Sequence, residues 1–243
     1  MNNFFNQAPG QSIEWFGLTH ILIICAFIIT LVVVILFGKR LAESKYERHV
    51  RFFLIVLVFL FEWRVFEDRV LNTSIFRLPL CAIALYGLTY AIALRKEKIF
   101  KISYFYWFGT ILTFLFFDTP FGLDRWSGWT YFGAHLMIGV LAMYGLSVFK
   151  WIPTKKDLYT SMYVLAIYAT LSGYTTFQYG GSDELFLKTP PVDFLNGLVD
   201  IHQVIYTSVF VLIAATIMIL LYVPFIKYNR EQKDKTKGDN HVY

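Results

Sequence analysis

The chain has little charge. Only 16% of its 243 residues are Asp, Glu, Lys or Arg, whereas a typical soluble domain has about 25%. Hydrophobic residues make up 57% and aromatic residues 19%, so a water-soluble fold of this size would lack the polar surface that it needs. No long polar or charged run is present either, which excludes disorder for all but the ends. The composition therefore indicates a membrane protein.

Cysteine is scarce as well. The two cysteines, Cys25 and Cys81, cannot form a four-thiolate zinc site or a disulfide framework. The histidines show no His-x-x-x-His or comparable spacing, which a metal site on one helix would need. We therefore expect neither a metal nor another cofactor.

Long apolar runs predict seven transmembrane helices. A bilayer core about 30 Å thick requires roughly 17 to 25 mostly apolar residues per helix. Runs of this length lie at Trp15–Gly38, Arg51–Val70, Phe76–Leu94, Ile99–Phe117, Ser127–Phe149, Leu158–Phe177 and Asp200–Ile226. The first run lacks the charged start and cleavage site of a signal peptide, so we expect it to be retained. The predicted fold is all-α, a single seven-helix bundle over residues 1–226 with a basic, disordered cytoplasmic tail over 227–243.

The positive charges are divided unevenly between the predicted loops. The loops after the first, third and fifth spans, together with the tail, hold 17 of the 22 lysines and arginines, which gives that side a charge of +10. The opposite ends carry −5, so the two sides account for the net charge of +5. Because basic loops stay in the cytoplasm, the N-terminus is predicted outside and the C-terminus inside. The basic excess then contacts anionic lipid headgroups on the cytoplasmic side, and nucleic-acid binding is not needed to explain it.

Polar residues within the spans concentrate toward the predicted outer side. An ionisable residue at the centre of a span costs about 2.5–3.5 kcal/mol, so it should face the bundle or a water-filled cavity. The helix directions place Glu62 near mid-depth and these residues in the outer half: His20, Cys81, Asp118, His135, Asp200 and His202. The pattern predicts one polar cavity that opens toward the exterior or the outer leaflet.

Several of these residues also have an ordinary structural interpretation. Asp118 lies at a helix end and is typical of an interface anchor. Asp200 and His202 could be hydrated helix-end residues, and His20 could hydrogen-bond a neighbouring helix. Glu62 lies deeper, so it should contact a polar group of another helix or stay protonated.

Cys81 and His135 form a possible nucleophile and base. Cys81 follows Pro79 in the first turn of a predicted helix, where unpaired backbone N–H groups and the helix dipole favour a thiolate. His135 enters the fifth span from the same side at a similar depth. A cysteine with a histidine, oriented by an acid or amide, is the general arrangement for covalent acyl transfer. The alternative is that Cys81 packs as a small hydrophobic residue and His135 bonds a backbone carbonyl.

At these residues the chain resembles a known family. The motifs that carry the resemblance are, in order, Phe16-Gly17-Leu18-Thr19-His20, Glu62, Leu78-Pro79-Leu80-Cys81, Gly133-Ala134-His135, Glu184-Leu185-Phe186-Leu187 and Pro191-Val192-Asp193-Phe194-Leu195. They are similar to those of the YwaF-type integral membrane proteins, which are related to the transmembrane-protein-164 acyltransferases. The resemblance extends from Phe16 to about Ile226. The chain departs from the family pattern at Pro79 and Ala82, where the family has a histidine and often an acidic residue.

The resemblance implies a seven-helix membrane enzyme that performs lipid acyl transfer or acyl-ester hydrolysis. Cys81 would be the nucleophile and His135 the general base, with Glu62, Asp118 or Asp200 as the orienting group. The expected partners are membrane lipids or a lipidated substrate, and the expected location is a bacterial plasma membrane. Two other classes stay open. They are a proton-coupled transporter with a relay of Glu62, Arg64 and the histidines, and a non-catalytic membrane binding protein.

Overall fold

The computed structural model describes residues 4–5, 10–71, 78–117, 119–181, 183–192 and 195–239. Within these residues the chain forms helices and no strand, as the sequence predicts. The helices are α1 Leu18–Ala42, α2 Glu47–Leu71, α3 Leu80–Leu94, α4 Glu97–Ser103, α5 Phe108–Leu115, α6 Trp126–Ser147, α7 Lys155–Tyr179, α8 Asn196–Ile201, α9 Gln203–Tyr222 and α10 Ile226–Asp239.

Helices occupy each of the seven stretches that the sequence predicts as spans. Among the described residues, three helices are long and apolar enough to cross a membrane: Leu18–Ala42, Trp126–Ser147 and Gln203–Gln232. The third runs from α9 into α10. α3 is apolar, but its 15 residues span only about 22 Å. α2 carries charged residues at both ends, and α7 is rich in tyrosine, threonine and serine. The seven-span count and the orientation stay predictions.

Two predicted spans are interrupted. The predicted helix Ile99–Phe117 divides into α4 and α5 around a 3₁₀ turn at Tyr104–Trp107, whose four aromatic side chains are all buried. The predicted helix that starts at Asp200 divides at His202, whose extended backbone separates α8 from α9. Neither interruption contains a proline or a glycine, so the local sequence gives no sign of them.

α6 is the central helix of the bundle. Of its most apolar stretch, 78% is buried, against 11% for α1 and 6% for Gln203–Gln232. Small residues let its neighbours approach closely. Gly145 lies directly against the Phe100 ring, and Gly38 of α1 lies against Ser147. The large exposed apolar side chains of α1 and α9 therefore form the outer surface, which suits contact with lipid chains.

The loops that follow α1, α3 and α6 meet at one end of the bundle, together with the tail. Glu47 at the start of α2 contacts Arg95, just after α3, at 2.6 Å, and Tyr144 near the end of α6. Asn229 of α10 donates a hydrogen bond to the Pro153 carbonyl at 2.9 Å. These are the basic loops and the tail that the charge count assigns to one side.

The start of the tail differs from the prediction. Residues from 227 onward are predicted to be disordered, but Ile226–Asp239 is helical. A 3₁₀ turn at Val223–Phe225, with Pro224 in its first positions, connects it to α9. Proline is tolerated there because the first N–H groups of a helix have no intrahelical partner. The tail therefore extends the last helix.

Candidate functional site

Cys81 is the second residue of α3. Pro79 precedes the helix in an extended conformation, and its carbonyl accepts hydrogen bonds from the N–H groups of Ala82 and Ile83. The half-buried thiol packs against the hydrophobic core. Cys81 lies one turn before Leu85 on the same face of α3, and Leu85 is only 1% exposed. Cys81 thus lies on the inner face of α3, at an end where backbone N–H groups favour negative charge.

Tyr168 of α7 holds the segment that leads into α3. Its hydroxyl accepts a hydrogen bond from the Leu78 N–H at 2.8 Å and donates one to the Leu78 carbonyl at 2.6 Å. A residue before a proline has few backbone partners, because extended backbone is favoured there. Tyr168 satisfies both polar groups and fixes the chain two residues before the helix begins.

His135 is buried in α6. Its Nδ1 lies 2.7 Å from the Tyr131 carbonyl, one turn earlier. A carbonyl oxygen can only accept a hydrogen bond, so Nδ1 carries the proton of the neutral ring and Nε2 keeps its lone pair. The imidazole is therefore in the tautomer that a general base needs, with Nε2 as the basic atom.

Cys81 and His135 both belong to helices that pack against each other, α3 and α6. The hydrogen bond that the described residues show for the His135 ring is the one from Nδ1 to the Tyr131 carbonyl. Catalytic hydrogen bonds are often long or poorly aligned before a substrate binds. The Cys81–His135 pairing therefore stays a prediction.

Glu62 contacts a polar group of another helix, as the sequence predicts. The Tyr86 hydroxyl of α3 donates a hydrogen bond to Glu62 Oε2 at 2.8 Å. This contact links α2 to the helix that carries Cys81. It also gives the carboxyl group a partner away from bulk water, which a carboxyl group within a span requires.

His20 is fully buried, and both of its ring nitrogens bond main-chain atoms. Nδ1 accepts from the Phe16 N–H at 2.8 Å, and Nε2 lies 2.8 Å from the Phe114 carbonyl. That carbonyl is in the last turn of α5, where helix carbonyls have no intrahelical partner. His20 thus joins α1 to α5, and in this conformation neither nitrogen is left for a substrate.

The remaining predicted site residues lie apart from this core. The exposed His202 caps α9, and its Nδ1 accepts from the Val204 N–H at 3.1 Å. Asp200 is exposed near the end of the short helix α8. Asp118 lies outside the described residues. The structure therefore places His202 at a helix end, as the ordinary structural interpretation expects.

Comparison with known proteins identifies the family to which this chain belongs. The family model described as TMEM164 family matches residues 15–231. The chain belongs to the TMEM164 family. No curated protein and no solved structure matches the chain. Together with its long apolar helices, this membership makes the chain an integral membrane protein.

In this TMEM164 family protein, the loop before α8 is held by one carboxylate. Asp183 accepts hydrogen bonds from the N–H groups of Leu187, Lys188 and Thr189 at 2.7–2.9 Å. From α9, the buried Tyr206 donates to the Phe186 carbonyl at 2.5 Å. The loop that carries the Glu184–Leu187 motif is therefore an ordered part of the bundle's non-basic end.

Sequence reasoning missed a polar network at the basic end. Glu47 Oε1 lies 3.0 Å from Arg51 Nε and accepts from the Tyr144 hydroxyl at 2.8 Å, while Oε2 lies 2.6 Å from Arg95 Nη2. Arg51 also donates to the carbonyls of Ile92 and Ala93, near the end of α3. The one local indication in the sequence was the spacing of Glu47 and Arg51, which are four residues apart.

Two shallow depressions of about 530 and 280 Å³ lie along α7 and share Tyr163. None of the predicted site residues lines either of them, so the predicted outer cavity stays a prediction. No three His, Cys, Asp or Glu side chains of the described ranges come together as a metal site.

Proposed function

We propose that this TMEM164 family protein is a membrane-embedded lipid acyltransferase or acyl-ester hydrolase. Cys81 is the nucleophile and His135 the general base. The observation that carries the proposal is the Nδ1–H bond from His135 to Tyr131, because it leaves the lone pair of Nε2 on a buried ring that can take a proton. Support also comes from the family, since the transmembrane-protein-164 relatives that the sequence resembles are acyltransferases.

The first half of the reaction forms a thioester. His135 Nε2 takes the thiol proton, and the Cys81 sulfur attacks the carbonyl carbon of an acyl ester. The ester C–O bond then breaks, and the imidazolium returns its proton to the departing alcohol. The acyl group is left on sulfur until a lysolipid, an amine or water resolves the thioester. Exclusion of water by the packed helices favours transfer over hydrolysis.

The proposal includes seven spans with the N-terminus outside, a site that opens toward the outer leaflet, and a bacterial plasma membrane. It also places the chain in the YwaF-type group. The meeting of the basic loops and the tail at one end supports the orientation, because positively charged loops stay in the cytoplasm. Anionic lipid headgroups on that side and acyl lipids at the opposite end are the proposed partners.

The chain offers a matched pair of cysteines to test the nucleophile. Purified protein is incubated with p-nitrophenyl hexanoate, and acyl-enzyme is measured by intact mass. We expect Cys81→Ala to abolish the acyl adduct and Cys25→Ala, which changes an exposed cysteine of α1, to leave it intact. His135→Ala should slow acylation by about 10²–10⁴-fold. An adduct that persists in Cys81→Ala would refute the proposal and favour a transporter or a binding protein.

The orientation has its own test in single cysteines introduced next to Arg95 and Lys155. In intact cells, a membrane-impermeant maleimide should leave both sites unlabelled until the membrane is permeabilised, because the proposed topology places them in the cytoplasm. A cysteine introduced at Gln11, at the opposite end, is the positive control. Labelling of the Arg95 or Lys155 site in intact cells would contradict the topology.

A further inference from the structure

Thr110 of α5 is fully buried, at 0% exposure, and its hydroxyl has no hydrogen-bond partner among the described residues. Other helix threonines donate to the carbonyl four residues earlier: Thr30, Thr89, Thr113, Thr170 and Thr216. Buried hydroxyl groups in proteins almost always have a partner, often an ordered water. Thr110 is therefore an exception that needs an explanation.

The interruption of the helix explains why Thr110 lacks the usual bond. The carbonyl four residues before it belongs to Tyr106, inside the 3₁₀ turn at Tyr104–Trp107. A 3₁₀ turn has a tighter pitch and poorer hydrogen-bond geometry than an α-helix, so the Tyr106 carbonyl is not placed to accept the Thr110 hydroxyl. The hydroxyl is available to a ligand.

The register of α5 and α6 places Thr110 at the depth of His135. The chain from α4 to α5 runs antiparallel to α6, because Phe100 of α4 packs on Gly145 while the Phe114 ring of α5 lies 6.1 Å from the Phe132 ring. Thr110 is one turn before Phe114 on α5, on the same face. His135 is three residues after Phe132 on α6, so a step of about one turn along each helix, four residues on α5 and three on α6, leads to both residues.

The two groups are complementary to one kind of ligand. With Nδ1–H bound to the Tyr131 carbonyl, Nε2 of His135 can only accept a hydrogen bond, and the Thr110 hydroxyl can donate one. A ligand that bridges them must donate to Nε2 and also bond the Thr110 hydroxyl, which can donate or accept; an O–H group does both, whereas a carbonyl oxygen cannot donate to Nε2. We propose that Thr110 and His135 bind the hydroxyl of the acyl acceptor between them, either water or an alcohol.

In this proposal, which rests on the proposed function for its chemistry, the site serves the second half of the reaction. Thr110 orients the acceptor oxygen, and His135 Nε2 takes the O–H proton as that oxygen attacks the thioester carbonyl carbon. The C–S bond breaks, the acyl group moves to the acceptor, and the Cys81 thiolate regains a proton from the imidazolium. Water as the acceptor gives a free fatty acid, and a lysolipid hydroxyl gives a new ester. Thr110 is a substrate-binding residue of this second half.

The experiment uses Thr110→Val, which keeps the shape and removes the hydroxyl, in the full-length protein. Thr113→Val is the control, since the Thr113 hydroxyl is already bonded to the Gly109 carbonyl at 2.9 Å. The first readout is thermal unfolding without substrate. If a bound water bridges the site, Thr110→Val loses its hydrogen bonds and should unfold at a lower temperature than the control. If the hydroxyl is unsatisfied, its removal should raise the unfolding temperature, which would overturn the proposal.

The second readout is the decay of the hexanoyl enzyme, measured separately from its formation. Thr110→Val should slow decay by up to about 100-fold, as expected for a misplaced reacting group, and leave the acylation rate within the range of Thr113→Val. Decay in ¹⁸O-labelled water identifies water as the acceptor, and ester formation with added lysophosphatidylcholine identifies an alcohol. Unchanged decay with both acceptors overturns the proposal. If the unmodified protein forms no acyl-enzyme, the proposed function fails, and the unfolding temperature still decides whether the site is occupied.

Discussion

The buried carboxylate of Glu47 gives the sharpest prediction of stability. Its side chain is only 10% exposed and lies beside Arg51, whose side chain is 14% exposed. Replacing Glu47 by Gln keeps the shape and removes the charge that balances this buried guanidinium. Loss of one partner from a buried ion pair costs about 3–5 kcal/mol. Arg95 adds little to this figure because its side chain is 57% exposed, and solvent-exposed pairs contribute at most about 1 kcal/mol.

We therefore expect Glu47→Gln to lower stability by about 3 kcal/mol, which corresponds to a drop in unfolding temperature of roughly 6–12 °C for a chain of this length. Thermal unfolding in one detergent, followed by tryptophan fluorescence, measures it. The control is Glu97→Gln, since Glu97 pairs with Lys101 but is 51% exposed, and its removal should cost under about 1 kcal/mol. Equal shifts for the two variants would refute the reasoning from burial.

Two further predictions concern close packing and the approach to α3. Gly145→Ala would place a methyl group 2.1 Å from the Phe100 ring, so it should cost about 1–3 kcal/mol in thermal unfolding. Gly197→Ala, which meets nothing within 4 Å, should cost clearly less, and similar losses would contradict the packing argument. Tyr168→Phe removes both hydrogen bonds to Leu78 and should speed amide hydrogen exchange at the start of α3. Exchange that stays at the original rate would show that the tyrosine does not hold this segment.

The sequence predicts the helices well because a chain that crosses a membrane needs long apolar runs separated by charged loops, and both are visible in the sequence. It does not predict where helices are interrupted. Tyr104–Trp107 contains only aromatic residues, with no proline or glycine to mark a 3₁₀ turn, so the interruption depends on how these rings pack in the bundle. The division at His202 depends on a cap that its own side chain supplies, and histidine is not among the preferred capping residues.

The candidate site is less accessible to sequence reasoning because its polar contacts are not local. The bond between Leu78 and Tyr168 joins residues 90 positions apart, and the Tyr144–Glu47 bond joins residues 97 positions apart. Spacing along one helix cannot reveal either contact. Glu62 was predictable in kind, as a carboxyl group that needs a polar partner, but the identity of that partner comes only from the packing of α2 on α3.

Side chains from other helices hydrogen-bond the backbone at both ends of the short helix α3. Tyr168 holds the residue before its first turn, and Arg51 binds the Ile92 and Ala93 carbonyls in its last turn. A helix fixed in this way resists sliding and unwinding, so the Cys81 sulfur is the stationary atom of the proposed pair. Rotation of the His135 ring toward the thiol would break the bond from Nδ1 to the Tyr131 carbonyl, at a cost of about 1 kcal/mol.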